Sequence, residues 1–279
     1  MWRVCLRANL RNPLAFNKTP TCESRLLKSS IYGFCGIFLC LGEKMNNFEE
    51  KNNNLNNVLN ENSNGILIVN KPVNKTSFDM VYSIRKEYHL KKVGHIGTLD
   101  PMAEGVLPIL LGKATKLSDY LMEHDKEYIA TLAFGEKRDT LDSEGKVIDK
   151  KEIDYSTLNK ENIINVLNSF LGKTMQIPPM YSAIKVNGKK LYELARKGET
   201  IEREPREINI YSISLLNLNS DNIVFKVNCS KGTYIRVLCE DIAKKLNNYG
   251  YMSHLKRTRV RKLYNWWCFK IYWNERYFL

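Results

Sequence analysis

With 279 residues, 43% of them hydrophobic, the chain can bury one substantial core, or one large domain with a small appendage. A formal net charge of +13 and a pI of about 9.3 favour a polyanionic partner, either nucleic acid or an anionic membrane surface, although a merely solubilising surface gives the same balance. Seven cysteines, odd in number and without C-x-x-C spacing, argue against both a zinc site and a disulfide framework and fit a reducing, intracellular compartment.

Residues 1–44 are Arg-dotted and acid-poor and end in the apolar run Ile31–Leu41, which is too short for a confident membrane span. They read either as a targeting segment or as a spurious extension upstream of Met45. The lack of an ordered n-region, h-region and cleavage site favours the second. Residues 45–64 are an Asn-rich polar tract with little to bury, expected to be a disordered leader.

Residues 65–262 read as one mixed domain. Ile66–Val69 is a short buried strand, and Thr76 and Ser77 can cap a helix over 78–89. Tyr128 to Phe134 alternates as a strand does. Asn159 opens a helix with Ile163, Val166, Leu167 and Phe170 on one face, closed by Gly172. Tyr181 to Val186 runs as a strand into the turn Asn187-Gly188, and a short helix to Arg196 follows, ended by Gly198. Strands near 206–217 and 222–230 flank a polar turn. Ile235, Leu238, Cys239, Ile242 and Leu246 form a helical stripe, with Cys229 and Cys239 as buried thiols. Antiparallel strands with interleaved helices predict an α+β fold with a mixed, mainly antiparallel sheet. There is no internal repeat, no Walker loop and no G-x-G-x-x-G. Residues 263–279 depart from this pattern, with eight aromatic residues of seventeen. They read as an aromatic docking tail or as a sequence not selected to fold with the rest, the latter favoured.

The densest segment is Gly94-His-Ile-Gly-Thr-Leu-Asp-Pro-Met-Ala-Glu-Gly-Val-Leu-Pro108. Three glycines and two prolines in this stretch exclude a continuous helix or an interior strand. Pro101 biases Asp100 to an extended backbone, so a carboxylate is held on a stiff loop. Such a loop suits a placed catalytic group, and an Asp-Pro turn is the plain alternative.

This segment resembles the catalytic motif of the TruB family of pseudouridine synthases, and the likeness extends over nearly all of 65–262. Leu67-Ile-Val-Asn-Lys-Pro72 resembles the family's Lys-Pro motif. Asp125-Lys-Glu-Tyr128 with Gly135-Glu-Lys-Arg-Asp-Thr140 resembles its second motif, and Pro178–Lys185 with Gly188–Tyr192 a third block. Cys229–Arg236 and His254–Val260 resemble its last two.

The resemblance implies a pseudouridine synthase catalytic fold and isomerisation of a flipped-out uridine in the TΨC loop of tRNA, at position 55. Asp100 is the implied nucleophile, attacking either C6 of the uracil or C1′ of the ribose. Arg236 is its implied salt-bridge partner, and Tyr128 the implied active-site tyrosine, stacking on uracil and assisting proton removal. His95 is implied to lie near the flipped nucleotide, Tyr234 and Leu255 to line the uracil pocket, and Lys71 to support the active-site loop. No cofactor and no metal are expected, because the isomerisation is redox-neutral.

Phosphate contacts are expected among Lys91, Lys92, Lys113, Lys116, Arg138, Lys189, Lys190, Lys256, Arg257 and Arg259, each of which also reads as part of a solvated face. The family's small C-terminal RNA-binding domain, often of the PUA type, is not recognisable in 263–279, so weakened tRNA affinity is expected. A stand-alone, protein-guided, monomeric enzyme is expected, cytoplasmic unless 1–44 directs import into an organelle. The competing expectation is a non-catalytic tRNA-binding chaperone that uses the same surface.

Overall fold

Strict alternation builds the centre of the sheet. In Lys126–Phe134 every second side chain is buried, so one strand face enters the core and the other stays partly solvated. The computed structural model describes residues 27–31, 34–38, 59, 61–122, 124–186, 188–260 and 263–264. The expectations for 1–44, 45–64 and 263–279 fall almost wholly outside these residues.

The first strands are β1 (Leu27–Ile31), β2 (Phe34–Phe38) and β3 (Gly65–Lys71). Helix α1 (Ser77–Glu87) leads to β4 (Val93–His95), β5 (Glu104–Leu111), α2 (Ser118–Met122) and β6 (Lys126–Phe134). The short pair β7 (Glu136–Arg138) and β8 (Val147–Lys150) precedes α3 (Lys160–Asn168) and β9 (Gly172–Gln176). A small hairpin, β10 (Lys185–Val186) and β11 (Lys189–Lys190), leads into α4 (Leu191–Ala195). Then come β12 (Arg206–Leu218), β13 (Asn222–Cys229), α5 (Ile235–Lys245), β14 (Gly250–Val260) and β15 (Leu263–Tyr264).

The main sheet runs β1-β2-β3-β5-β14-β6-β13-β12-β9, with β4 added to β5 and β15 to β14. Among the named strands of the described residues, only the β2–β3 and β5–β14 pairings are parallel. This is the α+β, mainly antiparallel sheet that the sequence predicts. The main core gathers Leu67, Val69, Met80, Ile84, Leu107, Leu132, Phe225 and Leu238 with their neighbours. Leu59 is buried in it, and the Asn64 side chain accepts from Lys113 N–H at 2.6 Å, so packing begins a few residues before β3. Among the described residues, no helix is long and apolar enough to cross a membrane.

Helix α1 starts where its cap dictates. Thr76 Oγ1 accepts from Asp79 N–H at 3.0 Å, and the Asp79 carboxylate accepts from Thr76 N–H at 2.7 Å, a reciprocal capping box. Helix α3 is likewise capped by Asn159, whose side chain accepts from Asn162 N–H at 2.9 Å. Helix α5 packs its apolar stripe on β14 and β6, which carries its first turn toward the loop of Asp100.

Two expectations are corrected. The Gly- and Pro-rich segment does not exclude an interior strand, because Glu104–Leu111 is β5, nearly all buried, between β3 and β14. Pro108 is tolerated for a local reason. The stretch pairing with β14 is 104–105 and that pairing with β4 is 109–111, so Pro108 sits between them. Its carbonyl accepts from Ile96 N–H on that side, so its nitrogen points to the same gap and owes no ladder bond there. Second, Tyr181–Val186 forms strand only at Lys185–Val186. The carbonyls of Ser182 and Ile184 are taken by the N–H groups of Tyr192 and Leu191, and that of Tyr181 by an arginine described below.

Candidate active site

The site begins with two glycines. Gly105 has φ +111°, and a Cβ there would stand 2.2 Å from the Arg257 carbonyl oxygen, so only glycine lets β5 and β14 approach in parallel. Gly97 has φ +68° and faces the Arg257 guanidinium, 3.3 Å from where a Cβ would be. Between these glycines the chain carries Thr98, Leu99, Asp100 and Pro101 out of the sheet and back.

Arg257 is fully buried under this loop. Its Nε donates to the Val106 carbonyl at 2.7 Å and its Nη2 to the Gly97 carbonyl at 2.9 Å, so one guanidinium ties together the two ends of the Asp100 loop. This corrects the expectation that Arg257 contacts phosphate: a side chain with no exposure cannot reach RNA. Other expected phosphate contacts are partly engaged. Arg138 pairs with Glu136 at 2.8 Å and stacks over Tyr251, Lys256 lies 3.2 Å from Glu104, and Arg259 lies 3.8 Å from Glu127. Lys91, Lys92, Lys113, Lys116 and Lys189 are exposed, and Lys190 is half-buried.

Lys71 closes the other flank. It has no exposed surface, and its Nζ donates to the carbonyls of Pro72 at 2.9 Å, Lys75 at 2.5 Å and Pro101 at 3.1 Å. Burial lowers its pKa to about 8, against the opposing pull of Asp100. Ser77 adds a further tie, since its Oγ accepts from Leu99 N–H at 2.9 Å. Asp100 is thus flanked by Leu99 and Pro101, both fixed through their backbones. Lys71→Met strands three part-buried carbonyls and should lower stability by about 2–3 kcal/mol, or about 4–12 °C in Tm by calorimetry. An unchanged Tm would remove Lys71 as a support of the loop.

The Asp100 carboxylate emerges with its side chain 35% exposed. Arg236, in the first turn of α5, reaches it through Nε at 3.1 Å, with Nη2 at 3.5 Å from the second oxygen. The guanidinium is itself held in place. Nη1 donates to the Thr140 carbonyl at 3.1 Å and lies 3.3 Å from Asp142, and Nη2 donates to the Tyr181 carbonyl at 2.8 Å. Burial pushes the Asp100 carboxyl up from its ordinary range. Arg236 pulls it back most, Asp142 pushes it up, and Lys71 and Arg257 pull it down.

Tyr128 lies on β6 opposite Arg257, and Leu255 on β14 opposite Ala130, so all four side chains share the core face of the sheet. Burial raises the Tyr128 phenol to about 12, partly offset by Arg257, so its hydroxyl is neutral at neutral pH. Tyr234 is the N-cap of α5, and burial raises its phenol pKa too. His95 ends β4, with Nδ1 buried and lacking a hydrogen-bond partner. Burial, then Arg257, lowers its pKa, which keeps the imidazole neutral at neutral pH. Asp100, Arg236 and Lys71 therefore meet through direct bonds to the loop or its carboxylate, while Tyr128, Leu255 and His95 gather around Arg257 beneath it.

Three further residues support the site, of which Asp142 and Gln176 lie outside every motif and Lys126 lies inside Asp125-Lys-Glu-Tyr128 without a role there. Asp142 is buried and accepts from Thr140 Oγ1 at 2.6 Å and Glu144 N–H at 3.1 Å, besides pairing with Arg236. The buried Gln176 side chain accepts from Tyr234 N–H at 2.8 Å and donates to the Tyr234 carbonyl at 3.1 Å, fixing the start of α5. Lys126 is buried against Gly97 with its pKa lowered to about 8 by burial and by Arg257, and it donates to the Met122 and His124 carbonyls. A separate cavity of about 210 Å³, lined by Lys137, Lys151, Lys244 and Tyr249 among others, lies at the C-terminal end of α5, away from Asp100.

A carboxylate on a braced loop thus faces a guanidinium held at the start of α5. Residues 85–235 match the family described as TruB family pseudouridylate synthase (N terminal domain), and the chain belongs to that family. It is 56% identical over 197 residues to tRNA pseudouridine synthase B of Clostridium tetani, covering 71% of this chain and 68% of that protein. It is 53% identical over 193 residues to tRNA pseudouridine synthase B of Clostridium kluyveri, covering 69% and 66%. Among solved structures it is similar to a chain of a Cbf5-Nop10-Gar1 complex, with a TM-score of 0.54 and 31% identity over 70% of this chain and 48% of that one. The match thus spans about two thirds of the curated relatives (68% and 66%) and about half (48%) of the solved chain.

Proposed function

We propose that this chain isomerises a uridine of tRNA to pseudouridine, that the target lies in the TΨC loop, and that Asp100 is the nucleophile. The observation that carries the reading is the half-buried Asp100 carboxylate 3.1 Å from a fixed Arg236, in a chain whose relatives are named tRNA pseudouridine synthase B.

The chemistry balances without an oxidant. The N1–C1′ glycosidic bond breaks, the base turns, a C5–C1′ bond forms, C5 gives up a proton and N1 gains one. A carboxylate serves as the nucleophile only when ionised. Arg236 supports that state where burial alone would neutralise it. The target base has to leave its stack to reach Asp100, at a cost of about a few kcal/mol. The half-buried Tyr234 offers aromatic surface beside the loop, the Tyr128 ring lies buried beneath it, and the neutral Tyr128 hydroxyl can relay the C5 proton only by passing its own proton to a further acceptor.

The test is tritium release from C5-labelled uridine in a TΨC stem-loop and in whole tRNA, with mapping of the modified position. Release with pseudouridine in that loop is expected. Binding without release would favour a tRNA-folding chaperone instead. The pH profile offers a second check. Asp100 must be ionised and its pKa is raised, so kcat/KM should fall as pH drops through a value above the ~3.9 of an unperturbed aspartate. An acid limb at or below that value would contradict the burial of the nucleophile.

A further inference from the structure

The outward face of α1 breaks the pattern that its inward face obeys. Ser77, Met80, Val81 and Ile84 are buried, so the opposite side should be polar. Instead Phe78 is 68% and Tyr82 51% exposed, and Val73, just before the helix, is 42% exposed. Phe78 and Tyr82 stand at i and i+4, about 5–6 Å apart at Cβ, and Arg85 continues the row at i+7. Arg85 and Lys86 are exposed, and Lys91 and Lys92 follow in the next loop, also exposed. A lone exposed aromatic needs no account, but two adjacent rings running into a cluster of cations form a patch of defined chemistry.

Its location adds meaning. The first residue of α1 and the segment just before its N-cap are bonded to the two neighbours of Asp100. Ser77 Oγ accepts from Leu99 N–H at 2.9 Å, and Asn74 N–H donates to the Pro101 carbonyl at 2.9 Å. The aromatic row therefore starts beside the nucleophile loop and leads away from it along the helix.

We propose that this face is a stacking surface for RNA: unpaired bases flanking the target nucleotide lie on Phe78 and Tyr82, while Arg85 and Lys86 meet the adjacent phosphates. The proposal rests on the reading of the chain as an enzyme acting on RNA. Aromatic rings interleaved with cations are what a single strand requires, because every base has a face to stack and every linkage a charge to neutralise. Helical spacing puts Arg85 and Lys86 on the same side of α1 as the rings, and the exposed Lys91 and Lys92 follow in the next loop. The surface would also help to hold the strand while the target base is extruded, since stacking lost by its neighbours is partly replaced.

The test uses the full chain and an unmodified tRNA transcript, with affinity read by fluorescence anisotropy and turnover by tritium release. Phe78→Ser with Tyr82→Ser should raise Kd and KM by about 30-fold or more, with kcat at saturating tRNA changing far less. Arg85→Gln with Lys86→Gln should flatten the dependence of Kd on salt. Tyr155→Ser, at a ring that is 62% exposed on another part of the surface, should change neither. All these side chains are solvated, so Tm should stay put. The proposal is overturned if the Phe78/Tyr82 variant binds within about twofold of the parent, or if kcat falls while Kd holds. It is equally overturned if the parent sediments as a dimer and that variant as a monomer, which would assign the face to a second copy of the chain. If the parent binds tRNA through these rings yet releases no tritium, the isomerase reading fails and the stacking surface stands.

Discussion

Replacing Asp100 by asparagine should lower tritium release by at least about 10⁴-fold, the scale seen when a nucleophile is removed, while tRNA affinity stays within about threefold. The separation of chemistry from binding follows from how the loop is held. Its backbone is tied by Lys71 to Pro101, by Ser77 to Leu99 and by Arg257 to Gly97 and Val106, and none of these bonds uses the carboxylate. Asparagine is nearly isosteric, and its amide oxygen can still accept from Arg236. Arg236 also keeps the Thr140 and Tyr181 carbonyls and Asp142, so it is not stranded. The fold should therefore survive with Tm little changed, because the lost charge is one that burial already disfavours. Equal release by the two chains would remove Asp100 as the nucleophile. Loss of binding together with activity would mean that the carboxylate shapes the loop, and the variant would then say nothing about chemistry.

The sequence made the elements with strong periodicity plain and obscured those whose logic is tertiary. Tyr128–Phe134 and the stripe from Ile235 to Leu246 are read directly, because one face of each meets the core. Strand β5 was hidden because proline and glycine argue locally against a strand. Gly105 is there to let β14 come close, and Pro108 is accommodated by a gap between two partner strands, neither of which is visible one residue at a time. Arg257 shows the same limit. In Lys-Arg-Thr-Arg it looks like one cation of a basic run, yet pleating turns it inward next to Lys256, which faces out toward Glu104. Asp142 sits in Asp-Ser-Glu-Gly, a turn by composition, and its partner lies on a helix far along the chain. The pairing of Asp100 with Arg236 came from the resemblance rather than from spacing. The geometry adds that this arginine serves two carboxylates at once.

That sharing carries the second large effect. Arg236→Met should destabilise the protein by about 3–5 kcal/mol in urea titrations, because the Asp142 side chain, 4% exposed, loses its cation and remains buried with a charge. Asp142→Asn should cost less, since asparagine can keep the acceptor oxygen used by Thr140 and the Glu144 N–H, and Arg236 retains Asp100. The double variant should be more stable than the sum of the two losses predicts, by about 1–3 kcal/mol, and strict additivity would show that the pair is not coupled. A purely structural pair could pass that test, so the pH profile has to separate the roles. Arg236 is the strongest influence lowering the Asp100 pKa, and Asp142 raises it. Removing the arginine should therefore shift the acid limb of kcat/KM to higher pH, and neutralising Asp142 should shift it to lower pH, although both substitutions reduce turnover. Two lesions on one salt bridge that move the same limb in opposite directions cannot be explained by loosened packing. A shift of both in the same direction would mean that Arg236 acts on Asp100 only by holding the loop in place, and not through its charge.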